Sequence, residues 1–397
     1  MKTIRRTIFP DLKTALHDDR AVVITGMRRV GKTTTLHWLL DQVESENKLF
    51  IDLERADRRA VFMEPNYEIA YTYLINQGVN RDIPIVVALD EIQYVPNLPS
   101  VIKYLYDKYR IKFLLTGSSS YYLKNQFTQS LAGRKTVFEM FPLSFGEFLD
   151  FRGEPYRKRI SFQEMMFDPN EFERLKGFYA EFIQFGGLPN VVLEPKTEFK
   201  YDILADIYQS YIQIDVKSLA DFRKINELQK VIAALAARIG NKIDLTKISQ
   251  IAGISRPTLN EYLEFLEKTY LIHRLPAFSG FEKGITLGKK LYFLDNGIAN
   301  SLAKVSEGAL FENAIFNQLR GYGELAYYSK GNELEIDFIS TPSGHSAQGL
   351  EVKVHPTESD ERRLERNSKK LGLSNWSLVG QYPTQGFSDF IWGGLIF

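Results

Sequence analysis

The 397-residue chain contains no cysteine. That absence rules out disulfides, thiolate-ligated zinc and a cysteine nucleophile. Histidine is scarce, and its five copies stand at 17, 37, 273, 345 and 355, too scattered for a histidine-rich metal site. Neither charge sign prevails: 50 basic residues face 49 acidic ones, for a formal net charge of +1. The overall balance therefore carries no mark of a nucleic-acid binder, although it is compatible with a local basic patch. No apolar run approaches the roughly 18 residues of a membrane span, and no apolar core of signal-peptide length follows the basic stretch Met1 to Arg6. Repeats and low-complexity segments are missing as well. The expected setting is the cytoplasm, with no membrane partner. Hydrophobic residues at 44% and charged residues at 25% are ordinary for a globular protein, and the length asks for two or three domains.

What is present begins with Gly26-Met27-Arg28-Arg29-Val30-Gly31-Lys32-Thr33, which matches the G-x-x-x-x-G-K-[ST] phosphate loop. The apolar run Ala21 to Thr25 before it reads as a buried parallel strand. Thr34 to Val43 after it places Leu36, Leu39, Leu40 and Val43 at helical spacing. Strand, loop and helix together gather backbone N–H groups and a helix N-terminus around a phosphate. Gly26 and Gly31 permit backbone angles and close approaches that a Cβ would obstruct. Lys32 supplies a point charge to the β- and γ-phosphates, and Thr33 offers its hydroxyl to Mg²⁺.

Further apolar runs at Leu49 to Leu53, Ile85 to Leu89, Phe113 to Leu115 and Thr136 to Met140 alternate with helical patterns, such as the stripe Leu98, Val101, Ile102, Leu105 and Tyr109. This order predicts a parallel sheet covered on both faces, with ligands at the carboxyl ends of its strands. Asp90-Glu91 directly follows one such strand. Asp90 suits the Mg²⁺ shell, and Glu91 suits the orientation and deprotonation of an attacking water. Thr116-Gly117-Ser118-Ser119-Ser120 ends another strand in hydroxyls that can sense the γ-phosphate, with Ser118 foremost. Arg134, just before the last strand, is a candidate for stabilising transition-state charge in cis or in trans. Asn241-Lys242-Ile243-Asp244 fits the letters of a guanine-binding motif. It follows a helical pattern, however, and Asp90-Glu91-Ile92-Gln93 is not the D-x-x-G of a GTPase. We read it as a turn, and ATP as the nucleotide.

Residues 1 to about 150 resemble AAA-type ATPases of the additional-strand glutamate class through GMRRVGKTT, ALDEIQ, LLTGSSS and LAGRKTVFEMFPLSFGEFL. Nearly the whole chain resembles a prokaryotic family that joins such an ATPase to a C-terminal domain related to PD-(D/E)XK nucleases. The resemblance implies an α/β protein in three parts. These are a P-loop ATPase domain at 1–150, a linker with a helical and winged-helix segment at 151–275, and a restriction-endonuclease-like domain at 276–397.

In the middle part, Leu245 to Ala252, Gly253 and Ser255 to Lys268 have a helix-turn-helix pattern, and Leu271 to Leu275 follows as a wing strand. The second helix carries Glu261, Glu264 and Glu267. Acids there suit packing or an intersubunit role better than base readout, because duplex phosphates repel them.

In the last part, a helix with Phe311, Ile315 and Leu319 precedes strand candidates at Leu325 to Ser329, Leu334 to Ile339 and Leu350 to Val354. A charged helix, Glu358 to Lys370, and a strand, Trp376 to Val379, follow. Strict alternation would put Leu334, Ile336 and Phe338 on one face and Glu333, Glu335 and Asp337 on the other. Asp337, Glu351 and Lys353 match the nuclease-family pattern, with Ile336 where a proline often stands, and Glu312 is the expected additional metal ligand. Two carboxylates can hold Mg²⁺ while a lysine polarises water, as phosphodiester hydrolysis requires. The same alternation also suits a half-buried hairpin with a solvated charged face.

Two functions follow. One is an ATPase coupled to a nuclease-like domain that acts on DNA or RNA. The other is an ATP-dependent switch whose C-terminal domain is a non-catalytic scaffold for a protein partner. A homo-oligomer is required only if Arg134 acts in trans.

Overall fold

The structure, a computed structural model, describes residues 4–118, 133–159, 161–216, 225–278, 288–330, 334–342 and 346–397. Ser119, Ser120 and Glu333 lie outside the described residues. Two compact units emerge. One comprises Met1–Phe141, Ser210–Asp221 and Lys268–Tyr270; the other comprises Pro142–Gln209, Phe222–Glu267 and Leu271–Phe397.

The first unit is built on five parallel strands: β1 (Ala21–Gly26), β2 (Lys48–Asp52), β3 (Val86–Asp90), β4 (Lys112–Gly117) and β5 (Lys135–Met140). Their order is β2-β3-β4-β1-β5, so β4 is inserted between the strand before the phosphate loop and the strand that ends in acids. Every residue of β1 and β3 is buried, as expected for strands covered on both faces. Helices α1 (Phe9–Leu16), α2 (Lys32–Asp41), α3 (Ala56–Met63), α4 (Tyr67–Asn76) and α5 (Leu98–Tyr109) supply the cover. The amphipathic stripe of α5 buries Leu98, Val101, Ile102 and Leu105 against Val87, Leu89, Phe113 and Leu115. At roughly 1.5–3 kcal/mol per large apolar side chain, this layer stabilises the sheet where it covers β3 and β4.

In the second unit, α6 (Phe145–Arg152) opens with a capping box between Ser144 and Glu147. It is followed by α7 (Pro169–Phe185), α8 (Pro189–Leu193), α9 (Thr197–Ser210) and α10 (Ile225–Ala236). Gly186-Gly187 breaks the helices as its sequence indicates, and Gly187 N–H donates to the Asp295 carboxylate at 2.9 Å. Next come α11 (Leu245–Ala252), capped by Asp244 and closed by a left-handed Gly253, and α12 (Arg256–Lys268). Strand β6 (Ile272–Leu275) then pairs antiparallel with β7 (Lys290–Phe293), Ile272 opposite Phe293 and Leu275 opposite Lys290. After α13 (Asn296–Leu302) and α14 (Glu307–Leu319) comes a second sheet of β8 (Glu324–Lys330), β9 (Leu334–Thr341), β10 (Gln348–Lys353), β11 (Asn375–Gly380) and β12 (Ile391–Trp392), with α15 (Glu358–Lys370) between β10 and β11. The order is β12-β11-β10-β9-β8, antiparallel from β8 to β10 and parallel from β10 to β12. The chain is thus an α/β protein with a P-loop NTPase sheet and an additional C-terminal sheet. Among the described residues, no helix is long and apolar enough to cross a membrane.

The strict alternation expected of β9 does not hold. Ala326 pairs with Ile339 and Tyr328 with Ile336, so β9 carries one residue more than β8 over this stretch. Such a bulge re-aims side chains. Ile336 and Ile339 both join the cluster with Leu364 of α15, whereas Phe338 packs against Tyr292 and Phe316. Asp337 is aimed at the end of the β9–β10 ladder, where its Oδ2 accepts from Val352 N–H at 3.0 Å.

Asp295 gives this unit a pH signature. It caps α13, is 2% exposed and accepts from Ile298 N–H at 2.9 Å. Burial pushes its carboxyl up to about 6, against the lowering pull of N–H groups from Ile298, Gly187 and Gly297. The native state therefore holds this proton more tightly than the unfolded chain does, and unfolding free energy falls as pH rises from about 4 to about 6. Over that interval the loss is at most about 3 kcal/mol. Asp295→Asn is expected to flatten the slope, as read by denaturant titrations across the interval.

Candidate nucleotide site and acid cluster

The phosphate loop leaves β1 at Gly26, whose φ of +152° and closeness to the Met140 carbonyl oxygen leave no room for a Cβ. Gly31, at φ +95°, starts α2 without any side-chain cap. The first-turn N–H groups of Lys32, Thr33 and Thr34 therefore lack intrahelical acceptors, the arrangement that receives an anion. Arg29 also takes a left-handed φ of 68°. From outside the loop, Arg6 donates to Val30 O at 2.9 Å and to Phe141 O at 2.8 Å, tying the loop to the end of β5.

Lys32 is 5% exposed and folds back to donate to Gly26 O and Met27 O, both at 2.9 Å. Burial lowers its pKa, while the charges of Glu91, Asp215 and Asp90 favour the ammonium. Thr33 Oγ1 donates to Asp90 Oδ2 at 2.8 Å, so the hydroxyl and carboxylate assigned to a magnesium shell already meet. Thr116 donates to the other oxygen of Asp90. Burial raises the Asp90 pKa, opposed by those two hydrogen bonds.

Glu91 adopts φ 55°, a left-handed conformation unusual for a non-glycine residue. Strain of this kind collects at functional sites and is held by neighbours. The holding contacts are Glu91 N–H to Thr116 Oγ1 at 3.2 Å and Gln93 Nε2 to the Glu91 carboxylate. The same Gln93 nitrogen donates to Ser118 Oγ at 2.9 Å. Ser118 in turn donates to Asp215 Oδ1 at 3.0 Å, and Arg28 Nε donates to Asp215 Oδ2 at 2.8 Å. Met27, Val30 and Thr34 belong to the same loop and helix start.

Arg134 requires a correction. It stands at the N-terminal edge of β5 and pairs with Asp107 at 3.1 Å. Ala21 pairs with Lys135 at that edge, whereas Gly26 pairs with Met140 at the other. At about 3.3 Å per residue, the two ends are roughly 17 Å apart. A cis role for Arg134 at the phosphates is excluded by that span.

In the second unit the bulge and the ladder end gather Asp337, Glu351 and Lys353, with Glu312 facing them from α14. Lys353 Nζ donates to Glu351 Oε1 at 2.9 Å, and Arg363 Nη2 reaches the same oxygen at 3.0 Å. Glu312 Oε1 accepts from Tyr292 OH at 2.7 Å. Lys290 carries no local sequence signal, yet its buried ammonium lies 3.1 Å from Glu335, 3.4 Å from Asp337 and 3.8 Å from Glu312. Burial would lower its pKa, but the charges of Asp337, Glu312 and Glu335 raise it. Glu312 and Glu351 are both pushed up by burial and then by the charge of Asp337. The expected three-acid metal set of Glu312, Asp337 and Glu351 is not assembled: among the described residues no three or more such ligands are grouped to hold a metal ion. Glu312 and Asp337 share the Lys290 ammonium instead, while Glu351 is paired with Lys353 and Arg363.

A parallel sheet with an inserted strand, a phosphate loop and an acid-ended neighbour define an AAA-type P-loop ATPase fold. An AAA domain model matches residues 18–149. Two domains of unknown function, DUF8612 and DUF4143, match residues 177–309 and 307–385. The uncharacterized protein MJ1544 of Methanocaldococcus jannaschii is 30% identical over 397 residues, covering 96% of this chain and 86% of that protein. This protein belongs to the same family as MJ1544. An uncharacterized protein of Haemophilus influenzae is 27% identical over 389 residues, covering 93% of this chain and 91% of that protein. Among solved structures, the Aeropyrum pernix ORC1 protein in complex with DNA is 13% identical. It covers 76% of this chain and 92% of that one with a TM-score of 0.32, too low to bear on the reading.

Proposed function

We propose that this protein binds and hydrolyses ATP, working in the cytoplasm as a nucleotide-driven switch. One observation carries the reading: Thr33 Oγ1 meets Asp90 Oδ2 at 2.8 Å beside the buried ammonium of Lys32. Backbone N–H groups of residues 27–34 would cradle the polyphosphate, and Lys32 would swing from its loop carbonyls to the phosphate oxygens. Thr33 and Asp90 fit a magnesium ion, which would supply charge neutralisation on the phosphates. Glu91 orients the attacking water and takes its proton, and Gln93 fixes the glutamate relative to Ser118. Arg134 serves this chemistry only in trans, at the site of a second copy.

For the C-terminal part, the order α14-β8-β9-β10-α15-β11 supports a nuclease-like fold, and α10 to β7 supports a winged-helix segment before it. In that reading Asp337 and Glu351 would hold a divalent ion and Lys353 would polarise water against a nucleic-acid phosphodiester. The ion pairs of Lys290, Lys353 and Arg363 favour the second reading, in which these acids are neutralised within the chain and the domain is a scaffold for a protein partner.

Cleavage assays with Mg²⁺ or Mn²⁺ on DNA and RNA divide the readings. The expected result is that the wild type cleaves no more than Asp337→Ala or Glu351→Ala. A partner's retention should then depend on Lys32 and ignore Asp337→Ala. Metal-dependent cleavage that falls at least about 100-fold in both acid variants would restore the nuclease reading.

A further inference from the structure

The phosphate loop carries a buried ion pair that the ATPase reading leaves without a role. Asp215 is 3% exposed and sits in a π-helical turn, Tyr211–Val216. Turns of that kind are rare and recur at functional sites. One carboxylate oxygen takes Arg28 Nε at 2.8 Å and the other takes Ser118 Oγ at 3.0 Å. The Nη2 nitrogen of Arg28 is buried and has no hydrogen-bond partner among the described residues. Arg28 therefore places Nε on a carboxylate, lies beside Tyr94 and leaves Nη2 unsatisfied, in the loop that wraps the phosphates. A buried donor without an acceptor is costly, and it is an observation separate from the ion pair.

These groups lie within electrostatic reach of one another. Arg28 is influenced by Asp215 and Glu91, and Lys32 by Glu91, Asp215, Arg28 and Asp90. Burial holds the Asp215 carboxyl above the usual aspartate range, against the lowering pull of Arg28, Ser118 and Lys32. A terminal phosphate arriving among them meets an arginine with a spare donor and a carboxylate of its own sign. Phosphate accepts a guanidinium fork with two oxygens and a larger charge, so it outcompetes one carboxylate oxygen.

We propose that Asp215 discriminates nucleoside triphosphates from diphosphates, holding Arg28 and Ser118 when no terminal phosphate is present and yielding them to that phosphate when it arrives. The inference rests on the ATP reading. A diphosphate lacks the competing group and leaves the pair closed. A triphosphate opens it and releases the turn Tyr211–Val216, so nucleotide state is read out as order in this turn. By linkage, whatever stabilises the released turn also favours the triphosphate.

The test is calorimetric titration of the full chain with Mg²⁺ and either ADP or a non-hydrolysable ATP analogue. Asp215→Asn is expected to tighten the analogue about tenfold while ADP moves less than about twofold, within the usual range of such couplings. Arg28→Gln should erase the preference for the analogue. Parallel shifts of both nucleotides in Asp215→Asn, or no shift, would overturn the inference and leave the ATP reading standing. A wild type that binds neither nucleotide would overturn the ATP reading and this inference with it. Should Asp215→Asn fail to fold, hydrogen exchange on the wild type decides: residues 211–216 are expected to exchange faster with the analogue than with ADP, and equal rates would overturn the inference.

Discussion

Replacing Lys32 by alanine is expected to abolish measurable ATP turnover and the thermal shift that ATP produces. Lys32 is a buried cation at the centre of the loop, and its acceptors among the described residues are the carbonyls of Gly26 and Met27. Those weak partners are easily exchanged for a phosphate carrying full negative charge. The lost interaction is charge-assisted and desolvated, and removing one such donor costs roughly 10²–10³ in rate, about 3–4 kcal/mol. In the wild type, ATP at about 100 times its Kd adds about 2.7 kcal/mol of stability. Differential scanning with and without Mg-ATP reads that gain directly, and Lys32→Ala should show almost none of it. A variant that keeps both the shift and the turnover would remove Lys32 from the site.

The second large effect belongs to Glu91→Gln, which is expected to bind ATP as tightly as the wild type and hydrolyse it about 10²–10⁴ times more slowly. The amide preserves shape and hydrogen bonding but cannot accept a proton. Because Glu91 sits at φ 55° between contacts from Thr116 and Gln93, its carboxylate is aimed before any nucleotide arrives. Such preorganisation is where the catalytic gain resides. Single-turnover hydrolysis alongside equilibrium binding separates the two quantities. Normal hydrolysis by Glu91→Gln would assign the base elsewhere.

Most of the candidate nucleotide site is legible in local pattern. An apolar run, a glycine loop and a helix stripe identify β1, the loop and α2, since each is a short-range preference of the backbone. Asp90-Glu91 was readable for the same reason: the chain must leave a buried strand at its carboxyl end, where ligands sit. Arg134 shows that rule neglected. A residue preceding a parallel strand lies at the opposite edge, and the ion pair with Asp107 follows from that place. Asp215 had no local signal, because its partner lies 187 positions away and nothing near it in sequence resembles a phosphate motif. Lys290 was masked similarly. It opens an apolar strand and reads as an edge lysine, yet tertiary packing puts its ammonium among three carboxylates. The bulge in β9 defeats period-two reading, since one extra residue exchanges faces without any change in composition.

The pairing of β6 with β7 bears on how this polypeptide can be divided. Composition invites a cut near residue 275, after the helix-turn-helix, yet the very next strand in the ladder carries the cation for the acid cluster. Leu275 faces Lys290 across that hairpin. Severing the chain there would keep Lys290 with its acids but part β6 from β7, leaving each fragment with a strand that has lost its ladder partner. Helices α11 and α12 and the distal sheet are thus joined through this hairpin, and any chimera meant to swap one must carry both.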